Sequence, residues 1–265
     1  MPHWIAPDKK VDLAKMEACM RDHYEGTPLS LDQDIAQGIW NSPYRPTPLK
    51  FEVDGKQCFN ERPISTQQTG FSYIAQLRSW LPREIGGILW FGNDDGNMVA
   101  YVPIYCSNTE RAECFNTPSA DAVTFSDKSA FWVCNWVSNM VYPRYSQLFP
   151  ALKEVRDSLD NSYFAAQKGV EEKAQALYAT DKAAAVKYLN DYSVQKSDEM
   201  IARWRDLAIY LIVKFNDMTI KPEKDGKFLR TSTGLGERVK RPGYSDYFKR
   251  ELIKQSGDKF VMPNQ

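Results

Sequence analysis

The chain has 265 residues, of which 43% are hydrophobic and 26% charged, so it has enough apolar residues to bury a core of its own. The 34 Lys and Arg residues balance the 34 Asp and Glu residues. This zero formal charge gives no electrostatic reason to expect nucleic acid or a membrane surface as a partner. No apolar run is long enough to predict a membrane-spanning helix.

The metal-binding and thiol chemistry of the chain is limited. His3 and His23 are the two histidines, and no C-x-x-C pair occurs, so we expect no zinc site and no cofactor. The Gly-rich run Thr231–Gly236 does not complete a phosphate-binding loop. The odd number of thiols argues against a complete disulfide framework, although Cys106 and Cys114 could close a short loop in an oxidising compartment. The cysteines are Cys19, Cys58, Cys106, Cys114 and Cys134.

Two elements are predicted in the first sixty residues. Apolar residues at Leu13, Met16 and Met20, on one face, predict a short helix over Ala14–Tyr24. Asp54-Gly55 is typical of a hairpin turn. We therefore expect the segments on either side, Phe51–Val53 and Gln57–Phe59, to be paired strands.

The segment from Ile64 to Tyr105 predicts a helix packed on a hairpin. Ser65–Gln68 fits a capping box, in which a hydroxyl and a glutamine satisfy free N–H groups at a helix start. The helix would run to Pro82 with a stripe formed by Phe71, Ile74, Leu77 and Leu81.

Two apolar runs after Pro82 predict an antiparallel pair of strands, Gly87–Gly92 and Met98–Tyr105. The turn residues Asn93–Asn97 lie between them, and we interpret Asp94 and Asp95 as part of a tight connection. Pro103 has no N–H to donate to a sheet, so it should lie on an edge strand or at a bulge.

Helical periodicity dominates from Ser126 onwards. We predict a helix at 131–140, another carrying Leu148–Leu159, two more after Gly169, and a last short one around Tyr247–Lys254. The expected divisions are a part with both helices and strands at 1–125, a helical region at 126–218 and a polar tail wrapping the surface at 219–265. The expected apolar faces consist of Phe131, Trp132, Trp136 and Met140; of Leu148, Leu152, Val155 and Leu159; and of Ile201, Trp204, Leu207, Ala208, Leu211 and Phe215.

Several ordered segments together resemble the bacterial dipeptidase family of the N-terminal-nucleophile cysteine hydrolases. No single segment is diagnostic, but the ordered set is specific and extends to about Asp217. The segments are Met20–Pro28, Glu61–Phe71, Ala75–Pro82, Ile85–Gly92, Tyr101–Tyr105, Ser126–Trp132 and Tyr188–Ser193.

The resemblance implies an α+β fold of the four-layer αββα type, followed by a helical region. In that family a cysteine at the mature N-terminus is the nucleophile, and its own α-amine, with a pKa near ~8, is the base, so no histidine is needed. This chain opens with Met1-Pro2, and its first cysteine, Cys19, falls in a helical pattern where a buried thiol is normally inert. We therefore expect the nucleophile upstream, and this C-terminal part alone to be inactive.

The candidate substrate-binding residues lie before the first apolar run of the Ile64–Tyr105 segment. By analogy with related amide hydrolases, the polar residues Ser65, Gln67, Gln68 and Thr69 face the substrate, and a capping role is compatible with this. Arg62 could bind a substrate carboxylate, or it could anchor a loop. His23 is interpreted as structural rather than as a base.

The sequence thus predicts a cysteine-type dipeptidase whose partners are a dipeptide and the N-terminal half of the same protein. Two alternatives stay open: a non-catalytic scaffold or partner-binding module, and a sibling amidase that acts on N-acyl amines. A homo-oligomer is compatible with the sequence. The preferred dipeptide and the cellular compartment do not follow from it.

Overall fold

The computed structural model describes residues 4–116 and 120–263, and it confirms a mixed α+β protein. The chain forms two compact units, which are described separately. The first unit comprises the described residues of Met1–His23, Pro63–Asn135 and Val155–Trp204. The second unit comprises those of Tyr24–Arg62, Trp136–Glu154 and Arg205–Gln265.

The elements follow one another in a simple order. The α-helices are α1 (Leu13–Met20), α2 (Arg83–Gly86), α3 (Ala130–Val141), α4 (Tyr145–Tyr178), α5 (Lys182–Phe215) and α6 (Asp246–Ser256). The strands are β1 (Lys50–Val53), β2 (Lys56–Phe59), β3 (Phe71–Leu77), β4 (Gly87–Asn93), β5 (Val102–Tyr105), β6 (Glu223–Lys224) and β7 (Lys227–Phe228). None of the described helices carries an apolar stretch that could cross a membrane.

Helix α1 is present but shorter than predicted, and its one buried residue is polar. Asp12 caps it by accepting the N–H of Lys15 at 2.8 Å. Met16 is exposed, whereas Glu17 is almost completely buried. The helix therefore buries a carboxyl group, which forms an ion pair with Arg21.

The predicted helix at 71–81 is wrong, because Phe71–Leu77 forms strand β3. Its burial alternates, with Ser72 and Ile74 buried and Tyr73 exposed, which is the two-residue period of a strand. The three-residue steps between apolar residues also fit a helix, so the spacing alone did not decide. Pairing with β4 selects the strand, since β3 pairs with β4 along its whole length, from Phe71 opposite Asn93 to Leu77 opposite Gly87.

The predicted pairing of the two later runs is confirmed. Strand β5 pairs antiparallel with β4, with Ile88 opposite Tyr105 and Phe91 opposite Val102. Strand β5 is an edge strand of the sheet order β3-β4-β5, and Pro103 lies on it as expected. The tight turn is wrong, because an eight-residue connection from Asp94 to Tyr101 separates the strands, and its residues are buried.

The two faces of this sheet differ sharply in exposure. On one face, Ile88 and Trp90 are completely buried, and Trp90 meets Phe164 of α4 edge to face at 5.4 Å. On the other face, Phe71, Tyr73 and Leu77 are 59%, 52% and 76% exposed. We call this second surface, formed by Phe71, Tyr73, Leu77, Leu89, Phe91 and Ile104, the open face.

The long helices agree with the predicted periodicity in part. In α3 the buried residues include Val133, Cys134 and Val137, whereas Trp136 is exposed, so the predicted aromatic face was wrong. Gly169 lies inside the uninterrupted helix α4 and ends no helix, since interior glycine weakens a helix without forcing a break. All six expected core residues of α5 are buried, which confirms that face: Ile201, Trp204, Leu207, Ala208, Leu211 and Phe215.

The second unit contains the predicted hairpin and the predicted last helix. Strands β1 and β2 pair with Lys50 opposite Phe59, and Asp54 and Gly55 at the turn both have positive φ, as a two-residue hairpin turn requires. Helix α6 begins after Ser245, whose hydroxyl accepts the N–H of Phe248 at 3.3 Å.

Candidate functional site

The connection between β4 and β5 is anchored to the segment that begins at Ser65. The Ser65 hydroxyl donates a hydrogen bond to the Asp95 carboxylate and accepts the N–H of Asn97 at 3.2 Å. Its backbone N–H donates to the carbonyl of Asp22 at 3.1 Å. Ser65 and Asp95 are both buried, so Ser65 fixes a buried loop rather than capping a helix.

A buried arginine at the end of α1 holds the same connection. Arg21 donates to the carbonyl oxygens of Gly96 at 3.1 Å and Val99 at 3.2 Å. It also forms an ion pair with Asp160 of α4, with 2.7 Å between Nη2 and Oδ2. The other oxygen of Asp160 accepts the backbone N–H of Tyr101 at 3.1 Å. Helices α1 and α4 are thereby joined through this loop.

A second arginine lies about one helical turn earlier on α4 and reaches the same loop. Arg156 Nη1 donates to the backbone carbonyl of Asn97 at 2.7 Å and to its side-chain oxygen at 2.8 Å. Its remaining N–H groups bind Asp157 at 2.8 and 2.9 Å. The loop has no strand partner of its own, so arginine side chains satisfy three of its buried carbonyl groups, those of Gly96, Asn97 and Val99.

Glu17 completes this cluster and has an unusual protonation equilibrium. Its Oε2 accepts a hydrogen bond from Arg21 at 3.2 Å, and its Oε1 is buried with no hydrogen-bond partner among the described residues. Burial, followed by the nearby Asp160 carboxylate, raises the pKa of Glu17 to about 8, although Arg21 and Arg156 oppose the shift. Burial likewise raises the pKa of Asp160.

The predicted substrate-binding residues fall in different surroundings. Thr66 donates to the side-chain oxygen of Gln68 at 2.8 Å, and the N–H of Thr69 donates to the carbonyl of Thr66 at 3.0 Å. Gln67 and Thr69 are partly exposed and Gln68 is exposed, so these three can reach solvent or a ligand. Ser65 is too buried to do so.

Arg62 belongs to the second unit. It is exposed there, and its carbonyl accepts the Tyr24 hydroxyl at 2.7 Å. Its guanidinium is therefore accessible.

Sequence reasoning missed most of the buried cluster. Asp95 was interpreted as a turn residue, and Arg21, Arg156 and Asp160 were not singled out. The signal that could have found Glu17 is its position one turn after Leu13 and one turn before Met20, on the side of α1 where apolar residues stand. A carboxyl group there requires a buried partner.

A cavity of about 680 Å³ opens beside the edge of the sheet. Phe91 and Phe115 meet edge to face at 5.3 Å on its wall, and Ile104 adds to the apolar lining. Ser193 also lines the cavity, and its hydroxyl oxygen accepts a hydrogen bond from the N–H of Tyr105 at 3.2 Å. Part of the open face therefore lines this cavity, which suits an apolar group.

The thiols differ in accessibility. Cys19 is exposed, so the expectation of a buried thiol there was wrong, because α1 turns that side to solvent. Cys106 is also exposed, whereas Cys134 is completely buried and its burial raises the thiol pKa well above its ordinary value. His23 is completely buried, and His3 lies outside the described residues. Within the described parts of the chain, no group of three metal-binding side chains occurs.

Comparison with known proteins points to one family. Residues 1–158, which are more than half of the chain, match the model of peptidase family C69. A protein described as probable dipeptidase B from Streptococcus pyogenes serotype M1 is 21% identical over 208 residues. That alignment covers 77% of this chain and 39% of the relative, so the chain spans about two-fifths of the length of the relative it matches.

Proposed function

The chain belongs to peptidase family C69, and from this we propose that it is the C-terminal part of a cysteine-type dipeptidase with an N-terminal nucleophile. The observation that carries the proposal is the match over residues 1–158, together with the similarity to a protein named probable dipeptidase B. Since the chain spans 39% of that relative, we assign the activity to a complete protein of which this chain would be one part.

The open face supports a four-layer αββα arrangement of the complete protein. Helix α4 covers one face of the sheet β3-β4-β5, which gives two of the four layers. Large apolar side chains such as Phe71 and Leu77 on a sheet face are normally buried against another layer. A second sheet from the rest of the protein would cover them.

We place the nucleophilic cysteine outside this chain. Two thiols here, Cys114 and Cys134, are buried. Cys19 and Cys106 are exposed and Cys58 is partly exposed, but in this family the nucleophile is next to its own α-amine, which takes the thiol proton. Attack on the dipeptide carbonyl would form a thioester and release the C-terminal amino acid, and water would then hydrolyse the thioester.

The part of this chain that would meet the substrate is the segment Gln67–Thr69. Its side chains reach the surface just before β3. The buried hydroxyl of Ser65 anchors the start of the segment by donating a hydrogen bond to Asp95. Amide and hydroxyl groups can bind the peptide group and the α-ammonium of a dipeptide. Separately, in the second unit, we propose the exposed guanidinium of Arg62 as a group that binds a carboxylate.

The substrate class can be tested on the complete protein that contains this chain. We expect hydrolysis of unmodified dipeptides, loss of that activity on alkylation with iodoacetamide, and little hydrolysis of the same dipeptides after N-acetylation. Preference for the N-acetylated compounds would favour the sibling amidase. Absence of hydrolysis with every substrate, in a correctly folded protein, would favour the non-catalytic module.

The segment itself can be tested with a matched pair of variants. Gln68→Ala should raise KM for dipeptides, because the exposed amide lies at the proposed binding surface. Gln33→Ala is the control, since Gln33 is also an exposed glutamine but contacts Asp32 in the second unit. Equal kinetics for both variants would contradict the assignment of Gln68.

A further inference from the structure

We propose that protonated Glu17 keeps the Asp94–Tyr101 loop between β4 and β5 closed, and that opening of this loop releases a proton from the Glu17 carboxyl group. The proposal concerns the folded chain and does not depend on peptidase activity. It assigns a pH-dependent function to a buried group that the proposed catalytic chemistry leaves unused.

Glu17 is linked to the loop through the side chain of Arg21. Glu17 is 2% exposed, and only its Oε2 has a hydrogen-bond partner, Arg21, among the described residues. The same guanidinium donates to Gly96 and Val99 of the loop. A change in the charge or position of Glu17 therefore acts on the side chain that holds the loop closed.

Charged groups from three elements surround Glu17. Arg21 faces it from the end of α1, Arg156, Asp157 and Asp160 face it from α4, and Tyr101 faces it from the β4–β5 connection. Two arginines and two aspartates balance, so the cluster is neutral when Glu17 is protonated and carries one negative charge when it is ionised. A buried cluster without net charge is the less costly state.

The sign of the pH effect follows from the pKa of Glu17. In the closed loop that pKa is about 8, whereas a solvated glutamate has a pKa near ~4.3. Between these values the closed state holds a proton that the open state releases, so opening becomes easier as the pH rises. Above about pH 8 both states are ionised and the effect levels off. Ionised Glu17 then lies close to Asp160, which it repels.

Hydrogen exchange measures this coupling directly. In the wild-type chain, we expect the protection factors of the Met98 and Tyr101 amides, corrected for intrinsic exchange, to fall at least about tenfold between about pH 6 and about pH 8. In Glu17→Gln, which mimics the protonated group, the same protection should change less than about twofold over that range. Glu172→Gln is the control, because it removes an exposed carboxylate from α4 and should keep the wild-type profile.

Two results would overturn the proposal. One is an unchanged pH dependence of loop protection in Glu17→Gln, and the other is a flat profile in the wild type. If Glu17→Gln does not fold, the carbon-13 shift of the Glu17 carboxyl in the wild type decides instead. Titration of the Glu17 carboxyl near pH 8 supports the proposal, and ionisation of this carboxyl with an ordinary glutamate pKa refutes it.

Discussion

Arg21 at the end of α1 and Asp160 in the middle of α4 form a buried ion pair with 2.7 Å between Nη2 and Oδ2. This contact joins two segments far apart in the chain, and both residues also bind the connection between β4 and β5. Loss of this ion pair should therefore destabilise the connection between β4 and β5.

Removing Arg21 from the ion pair should lower the free energy of unfolding. Arg21→Met leaves Asp160 without its ion-pair partner and two buried carbonyls without donors, and we expect a loss of about 3–5 kcal/mol in the free energy of unfolding. Urea denaturation measures it. As a control, Lys187→Met removes an exposed ion pair with Asp191 and should cause no measurable change. Similar losses for the two variants would show that the Arg21 pair is not stabilising.

Two glycines should respond to alanine in opposite directions. A Cβ at Gly96 would lie 2.7 Å from the Tyr101 hydroxyl and 2.9 Å from the Met20 carbonyl, so Gly96→Ala should destabilise by about 1–3 kcal/mol. A Cβ at Gly169, inside α4, has nothing within 4 Å. Gly169→Ala should therefore stabilise by about 1 kcal/mol, because alanine is the better helix former. Thermal unfolding of both variants checks the pair, and a stable Gly96→Ala would contradict the packing described.

Arg144 in the second unit should stabilise the end of α5. Its guanidinium donates to the carbonyl of Phe215, the last residue of that helix, and lies 5.6 Å from the ring centre of Trp40. Arg144→Met should cost about 1–2 kcal/mol and increase amide exchange in the last turn of α5. Arg241→Met, at an exposed position, is the matched control. Unchanged exchange in both variants would exclude this capping role.

The open face predicts a difference between this chain and the complete protein. Leu77 is 76% exposed, so Leu77→Gln should change the stability of this chain by less than about 0.5 kcal/mol. In the complete protein, where we propose that a second sheet buries Leu77, the same change should cost about 2–3 kcal/mol. Leu235→Gln, at a 69% exposed position of the second unit, should be neutral in both. A neutral Leu77→Gln in the complete protein would contradict the four-layer arrangement.

The sequence was sufficient for elements whose local pattern has one interpretation. The stripe from Ile201 to Phe215 fits only a helix over that length, and Asp54-Gly55 fits only a tight hairpin turn. It was insufficient at Phe71–Leu77, where steps of three residues suit a helix and alternation suits a strand. Pairing with β4 decided between them, and that pairing is a tertiary contact absent from any local pattern.

The candidate site also depends on tertiary contacts that local sequence patterns do not contain. The Ser65–Thr69 segment could be selected from its polar residues, but the sequence assigned Ser65 to a helix cap. In the structure its hydroxyl binds Asp95 instead. The contact of Glu17 with Arg21 joins residues four apart on α1, so helical spacing could have suggested it. The contact of Arg21 with Asp160 depends on the fold of the first unit, so residue types and spacing alone could not predict it.

The most direct test of the account is to locate the thiol on which dipeptide hydrolysis depends. The complete protein is treated with limiting iodoacetamide, residual activity is followed, and the labelled cysteine is identified by mass spectrometry. We predict that the label whose extent matches the loss of activity lies outside this chain, and that Cys19→Ser, Cys58→Ser and Cys106→Ser keep full activity. Inactivation that follows labelling of Cys19, Cys58 or Cys106, with loss of activity in the corresponding serine variant, would contradict the account.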